Sequence, residues 1–180
     1  NPTSNQFKPE ALRRVLEEFN GLVVVDEAYV EFAPYSLVTL TEKCGDLIVL
    51  RTFSKAFGLA GLRVGYAVTS SEIATVLNER FQMPYPVTQL ALKACLKMLE
   101  NMDTIRQAIE QVKIERDILV TELNEIPGVH AFNSHANFVL ASLERSSDSV
   151  YEALLEKGVL VRNIKGVPDR THCLRITVAP

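Results

Sequence analysis

Two short, unbroken apolar runs, Leu22-Val23-Val24-Val25 and Leu47-Ile48-Val49-Leu50, constrain the fold more than any other feature of this chain. Both are rich in branched side chains and lack polar alternation, the pattern of a strand covered on both faces in a parallel sheet. Around them, apolar residues recur at helical spacing. Leu12, Val15, Leu16 and Phe19 predict a helix from Pro9 to Phe19, with Pro9 tolerated in its first turn and Gly21 breaking the pattern. Arg63 to Val68 is a third strand candidate, followed by a short helix carrying Ile73, Val76 and Leu77. Helices alternating with buried strands predict an α/β layered sheet. Ligands of such sheets collect at the carboxyl ends of the strands.

A break at Met83-Pro84-Tyr85-Pro86 separates this region from a mostly helical stretch over residues 87 to 125, with an interruption near Asn101 to Asp103. Pro127-Gly128 ends that stretch. Short strands are then expected at Val129 to Phe132, Asn137 to Leu140, Val159 to Arg162 and Leu174 to Val178. A helix starts near Ser149, where Ser149 and Glu152 fit a capping box, and stops at Gly158. The second half therefore reads as an α+β unit joined to the first by a long helix. The expected division is residues 1–84 and 85–180.

The 180 residues are 47% hydrophobic and 23% charged, the balance of a soluble globular protein. A net charge of −3 gives no electrostatic basis for nucleic-acid binding. Cys44, Cys95 and Cys173 are too few and too scattered for a disulfide framework or a zinc site. His130, His135 and His172 show no metal spacing and read as surface or loop residues. No apolar run approaches the roughly 20 residues of a membrane span, and no leader opens the chain, so no membrane partner and a cytoplasmic location are expected. Both ends read as cut, the expectation for a segment of a longer enzyme.

The chemistry concentrates in two places. Asp26 closes the first apolar run, and Lys55 sits in Thr52-Phe53-Ser54-Lys55-Ala56-Phe57-Gly58-Leu59-Ala60-Gly61-Leu62-Arg63, just after the second. The small residues Ala56, Gly58, Ala60 and Gly61 let a bulky ligand approach the backbone. A lysine held near cationic groups and partly out of water can lose its proton near neutrality and form a Schiff base. A carboxylate held against a pyridine nitrogen keeps that nitrogen protonated. Arg63 and Ser54 suit a phosphate, with Thr52 as a weaker addition. The set fits pyridoxal 5'-phosphate. Taken singly, each residue has a plainer role: Lys55 a snorkelling side chain, Asp26 a turn cap, Tyr29 an ordinary half-buried tyrosine. Arg162 and Arg175 lie among apolar residues and need an anion, either an internal carboxylate or a ligand.

These runs resemble the fold-type I, pyridoxal-phosphate-dependent aminotransferases, and among them the histidinol-phosphate branch. The resemblance covers essentially the whole chain, as the latter half of such an enzyme. Thr52 to Gly61 is similar to the lysine signature of the class II aminotransferases, and Asp26-Glu27-Ala28-Tyr29 with Glu31-Phe32 to the family's aspartate strand. The resemblance implies part of the large cofactor-binding domain sheet followed by a truncated small α+β C-terminal domain. It makes Lys55 the Schiff-base lysine and proton shuttle, Asp26 the ring-nitrogen partner, Tyr29 and Asn1 the ring-hydroxyl donors, and Ser54 and Arg63 phosphate ligands. Ser134-His135-Ala136-Asn137-Phe138, Gly158 to Asn163 and Cys173 to Val178 are similar to small-domain segments of that branch. They imply that Arg162 and Arg175 hold the substrate's phosphate or carboxylate. Asn1-Pro2-Thr3-Ser4 is similar to the family's Asn-Pro-Thr-Gly turn, with Ser4 in place of glycine. A positive φ there would make the serine reshape the turn. The implied activity is amino transfer between a phosphorylated amine or amino acid, histidinol phosphate, and a 2-oxo acid, 2-oxoglutarate, with a homodimer in the full-length enzyme. A threonine-phosphate decarboxylase, another aminotransferase, or a truncated protein without turnover share the same cofactor motifs.

Overall fold

The computed structural model describes residues 1–178, so Ala179 and Pro180, the last two of the expected second domain, lie outside the described residues. The chain forms two compact units, one of Phe7–Arg106 and one of Asn1–Gln6 with Gln107–Pro180. The sequence reading instead divides the chain between residues 84 and 85 and leaves the first six residues with the first unit.

In the Phe7–Arg106 unit, helix α1 (Pro9–Glu18) precedes strand β1 (Val23–Asp26), and β2 (Leu47–Thr52) and β3 (Gly65–Val68) complete a three-stranded sheet in the order β1-β2-β3. The β1–β2 pair is parallel, with Asp26 beside Leu50, while β2 and β3 are antiparallel. The third strand starts two residues later than expected. No crossover helix separates β2 from β3, only turns and the short 3-10 segment Ala60–Leu62, so β3 runs back along its neighbour. Gly65 permits the pairing: a Cβ there would lie 2.9 Å from the Arg51 carbonyl oxygen.

Coverage of both strand faces holds for Leu47, Ile48 and Val49, which form the core of this sheet. It does not hold for β1, where Val24 is 53% exposed and burial alternates along the strand. Helix α1 likewise has no buried residue, and Val15 and Phe19 on its apolar stripe are exposed.

Helix α2 (Ser71–Val76) is capped by Ser70, whose hydroxyl accepts from the Ile73 N–H. The expected helical stretch consists of α3 (Gln89–Glu100) and α4 (Met102–Asn124). Asn101 makes the break, its side-chain amide donating to the Lys97 carbonyl at 2.7 Å in competition with the helical backbone.

The other unit holds an antiparallel sheet of β4 (Val129–Ala131), β5 (Phe138–Leu143), β6 (Arg162–Ile164) and β7 (Cys173–Thr177) in the order β4-β5-β7-β6. Phe138 to Ala141 of β5 and Cys173 and Leu174 of β7 are its buried centre. Helix α5 (Ser147–Glu156) begins two residues before the expected capping box. Ser149 lies inside the helix and donates to the Ser146 carbonyl, so its hydroxyl does not act as the cap. The strand expected from Val159 starts only at Arg162. Gly158, at φ +76°, ends α5 in the left-handed conformation that favours glycine.

Candidate functional site

Parallel pairing of β1 and β2 puts their carboxyl ends on one edge of the sheet. Asp26 is the last residue of β1, and β2 runs through Thr52 directly into Phe53-Ser54-Lys55. Phe53 and Phe57, two residues either side of Lys55, are both buried, with ring centroids 4.8 Å apart. Backbone bonds from Gly58 to the Lys55 carbonyl and from Leu59 to the Phe53 carbonyl, each 3.0 Å, close the turn. Gly58 adopts φ +68°, which a side chain would strain. Two aromatic anchors thus hold Lys55 half-buried, its Nζ 5.1 Å from the centre of the Tyr29 ring.

The polar groups near this edge divide into those engaged by the turn and those presented outward. The Asp26 Oδ1 accepts from the Ala28 N–H at 3.0 Å, so the plain capping role is present. Its side chain is nevertheless exposed at the strand end. The Thr52 hydroxyl accepts from Ser54 N–H and donates to the Val64 carbonyl. That engagement removes Thr52 from the expected phosphate donors. Ser54 is half-buried, and Arg63, at φ +57°, is exposed and donates to the Ala60 carbonyl at 3.0 Å.

Beneath this edge lies a polar network that the sequence reading misses. Glu27, 6% exposed, accepts from the Leu37 N–H at 2.6 Å, the Ser36 hydroxyl at 2.8 Å and the Arg51 Nε at 2.9 Å. Arg51 also donates to the Ser36 hydroxyl and lies 3.6 Å from Glu31. Burial raises the Glu31 carboxyl above its ordinary pKa, against the opposing pull of its backbone hydrogen bond and Arg51. Charges flanking an apolar run, Glu27 after Asp26 and Arg51 before Thr52, were the available signal.

The remaining candidates belong to the other unit. Arg162 and Arg175 are cross-strand neighbours on β6 and β7. Like charges placed so oppose each other unless an anion lies between them. The expectation that both are buried fails for Arg162, which is exposed at the start of an outer strand. Arg175 is half-buried, its guanidinium 4.9 Å from the Phe138 ring centre and its Nη1 donating to Asn1 Oδ1 at 3.1 Å. Its Nε is buried with no hydrogen-bond partner among the described residues. Neither arginine forms an ion pair with a carboxylate among the described residues. Ser4 has φ +58° and is buried, the condition under which serine strains a glycine turn.

The model of the family described as aminotransferase class I and II matches residues 1–180. A histidinol-phosphate aminotransferase of Caldanaerobacter subterraneus subsp. tengcongensis is 43% identical over 179 residues, covering 99% of this chain and 50% of that protein. The chain thus spans about half the length of the curated relatives it matches. Among solved structures, histidinol-phosphate aminotransferase from Sinorhizobium meliloti in complex with pyridoxal-5'-phosphate superposes with a TM-score of 0.89 at 24% identity, over 100% of this chain and 51% of that one. L-threonine-O-3-phosphate decarboxylase from Porphyromonas gingivalis gives 0.87 at 24%, over 100% and 57%. At that identity both establish the shared mixed α/β fold. No helix among the described residues is long and apolar enough to cross a membrane. With its lysine turn on the parallel strand edge and the family model spanning its length, the chain belongs to the class I and II aminotransferases.

Proposed function

We propose that the chain supplies the lysine-bearing half of a pyridoxal-phosphate-dependent aminotransferase acting between histidinol phosphate and 2-oxoglutarate. The observation that carries the reading is the anchored Lys55 turn at the strand edge that also ends in Asp26. The donor set fits the cofactor. It offers an amine, an acid, the Tyr29 phenol, and the Ser54 hydroxyl with the Arg63 guanidinium for a phosphate. Asn1 is carried over, from the resemblance of Asn1-Pro2-Thr3-Ser4 to the family turn alone, as a ring-hydroxyl partner. When bound, pyridoxal phosphate supplies an aldehyde for an amine and a ring that accepts the electron pair released at the substrate carbon.

The chain's own residues account for the rest. Lys55 Nζ, held by Phe53 and Phe57, would carry the proton between the substrate carbon and the aldehyde-derived carbon of the cofactor. Asp26 holds a proton at the ring nitrogen by charge. Arg162 and Arg175 bind the phosphate of one substrate and the carboxylate of the other, and the partnerless Arg175 Nε supports that role. Residues 1–84 act as the C-terminal part of a cofactor-binding large domain. Residues 85–180 act as a linking helix and a truncated small domain, in a full-length cytoplasmic homodimer.

Mixing the chain with pyridoxal phosphate should give an absorbance band that borohydride abolishes while attaching the cofactor to Lys55. Equal labelling of other lysines, or an unchanged band in Lys55→Ala, would refute the assignment. A phosphate-binding arginine pair serves a threonine-phosphate decarboxylase equally well. Carbon dioxide release from threonine phosphate, measured beside amino transfer from histidinol phosphate, separates the two.

A further inference from the structure

The Asn1–Gln6 segment meets the rest of its unit at His135, a residue with no obvious role in the sequence. The His135 backbone N–H donates to the Ser4 carbonyl at 2.7 Å, and the His135 Nδ1 accepts from the Gln6 N–H at 2.9 Å. These two bonds bracket Asn5, directly after the left-handed residue Ser4. His135 is itself fixed by the turn it occupies. The Ser134 hydroxyl donates to the Phe138 carbonyl at 2.6 Å and accepts from the Ala136 N–H at 3.1 Å, tying the turn to the start of β5. Strand β5 pairs with β7, which carries Arg175, and Arg175 in turn donates to Asn1.

We propose that His135 is a positioning residue that latches the Ser4–Gln6 backbone and so delivers Asn1 to the Arg175 guanidinium. The proposal rests on the reading above for the value of placing Asn1 and Arg175 together. An Nδ1 that accepts a hydrogen bond carries no proton, which makes His135 a neutral imidazole protonated on Nε2. A proton on Nδ1 would set two donors against each other and open the latch. The charged groups that act on His135 are Arg116 and Asp117 of α4. Burial and then Arg116 lower its pKa from the ordinary 6.5, while Asp117 acts in the opposite sense. The latch is closed at neutral pH and opens on acidification below that ordinary value.

The test is amide exchange and side-chain NMR on the full ¹⁵N-labelled chain. In the unsubstituted protein the Gln6 amide should be protected at neutral pH and lose protection in acid, after correction for intrinsic exchange. His135→Ala should lower that protection about tenfold at neutral pH, the loss of one hydrogen bond, and move the Arg175 Nε–H signal. Inorganic phosphate, titrated against that signal, should bind more weakly. His135→Asn places an oxygen on Cγ where Nδ1 stood, so it should restore protection without the acid response. Unchanged Gln6 protection in His135→Ala overturns the proposal, as does a persisting acid response in His135→Asn. Borohydride labelling of Lys55 in the same samples keeps the two readings apart. If Lys55 takes no cofactor while Gln6 behaves as described, the cofactor reading falls and the latch stands.

Discussion

Glu27→Gln changes one charge beneath the strand edge and leaves the shape nearly intact. The Glu27 carboxylate accepts three bonds, from Leu37, Ser36 and Arg51. An amide has one acceptor oxygen, which Leu37 N–H would keep. The Ser36 hydroxyl already accepts from Arg51 and from the Val38 N–H, so it can take the new NH2 group only by giving up one of those bonds. Arg51 Nε would likewise face a donor. Its side chain is 16% exposed, and the remaining carboxylate, Glu31, is 3.6 Å away. One lost charge-assisted bond costs about 1.5–3 kcal/mol, and removing one partner of a buried pair about 3–5. With Glu31 offsetting part of the charge, the expected loss is about 3 kcal/mol. Urea unfolding followed by circular dichroism measures it, provided the slope m is unchanged. Removing both charges in Glu27→Gln/Arg51→Met should recover about 2 kcal/mol relative to additivity. A single-variant loss below about 1 kcal/mol, or additive losses, would show that the network does not hold the strand ends.

Two further outcomes follow from strained or buried groups. Ser4→Gly relieves a positive φ and removes a buried hydroxyl that lacks a partner, and should raise stability by about 1 kcal/mol after glycine's entropy cost; an unchanged urea midpoint contradicts this. Burial raises the Glu31 pKa above 4.5, so its contribution is fully present below 4.5 and is lost as pH rises through the folded value. Measured across that range, the stability of Glu31→Gln minus that of the unsubstituted chain should grow toward neutrality, and a flat difference would remove the effect.

What the sequence made legible was local. The β-branched runs mark β1 and β2 because strand preference and burial act over a few residues, and Asn101 marks the break between α3 and α4 by its own side chain. The Lys55 turn is visible because its small residues sit beside it in the chain. Helix α5 begins earlier than the Ser149–Glu152 pair suggests because Ser149 bonds to Ser146, an outcome that the same residues permit equally well. Face coverage of β1 could not be read, since an apolar run records a preference for burial and not what lies against it.

The polar residues were the least legible, and the reason is physical. Glu27 and Arg51 are 24 positions apart, and Gln6 and His135 are 129 apart. In sequence each looks like an ordinary solvated group, because a charge or an imidazole declares no partner. Only the pairing of β1 with β2 brings Arg51 to Glu27, and only the turn before β5 aims the His135 Nδ1 at Gln6. Such contacts are formed by the fold and not by neighbours in the chain. The runs that hold Lys55 and Asp26, the residues proposed to bear the chemistry, are therefore recognisable on sight, whereas the Glu27–Arg51 and Gln6–His135 contacts emerge only from the structure.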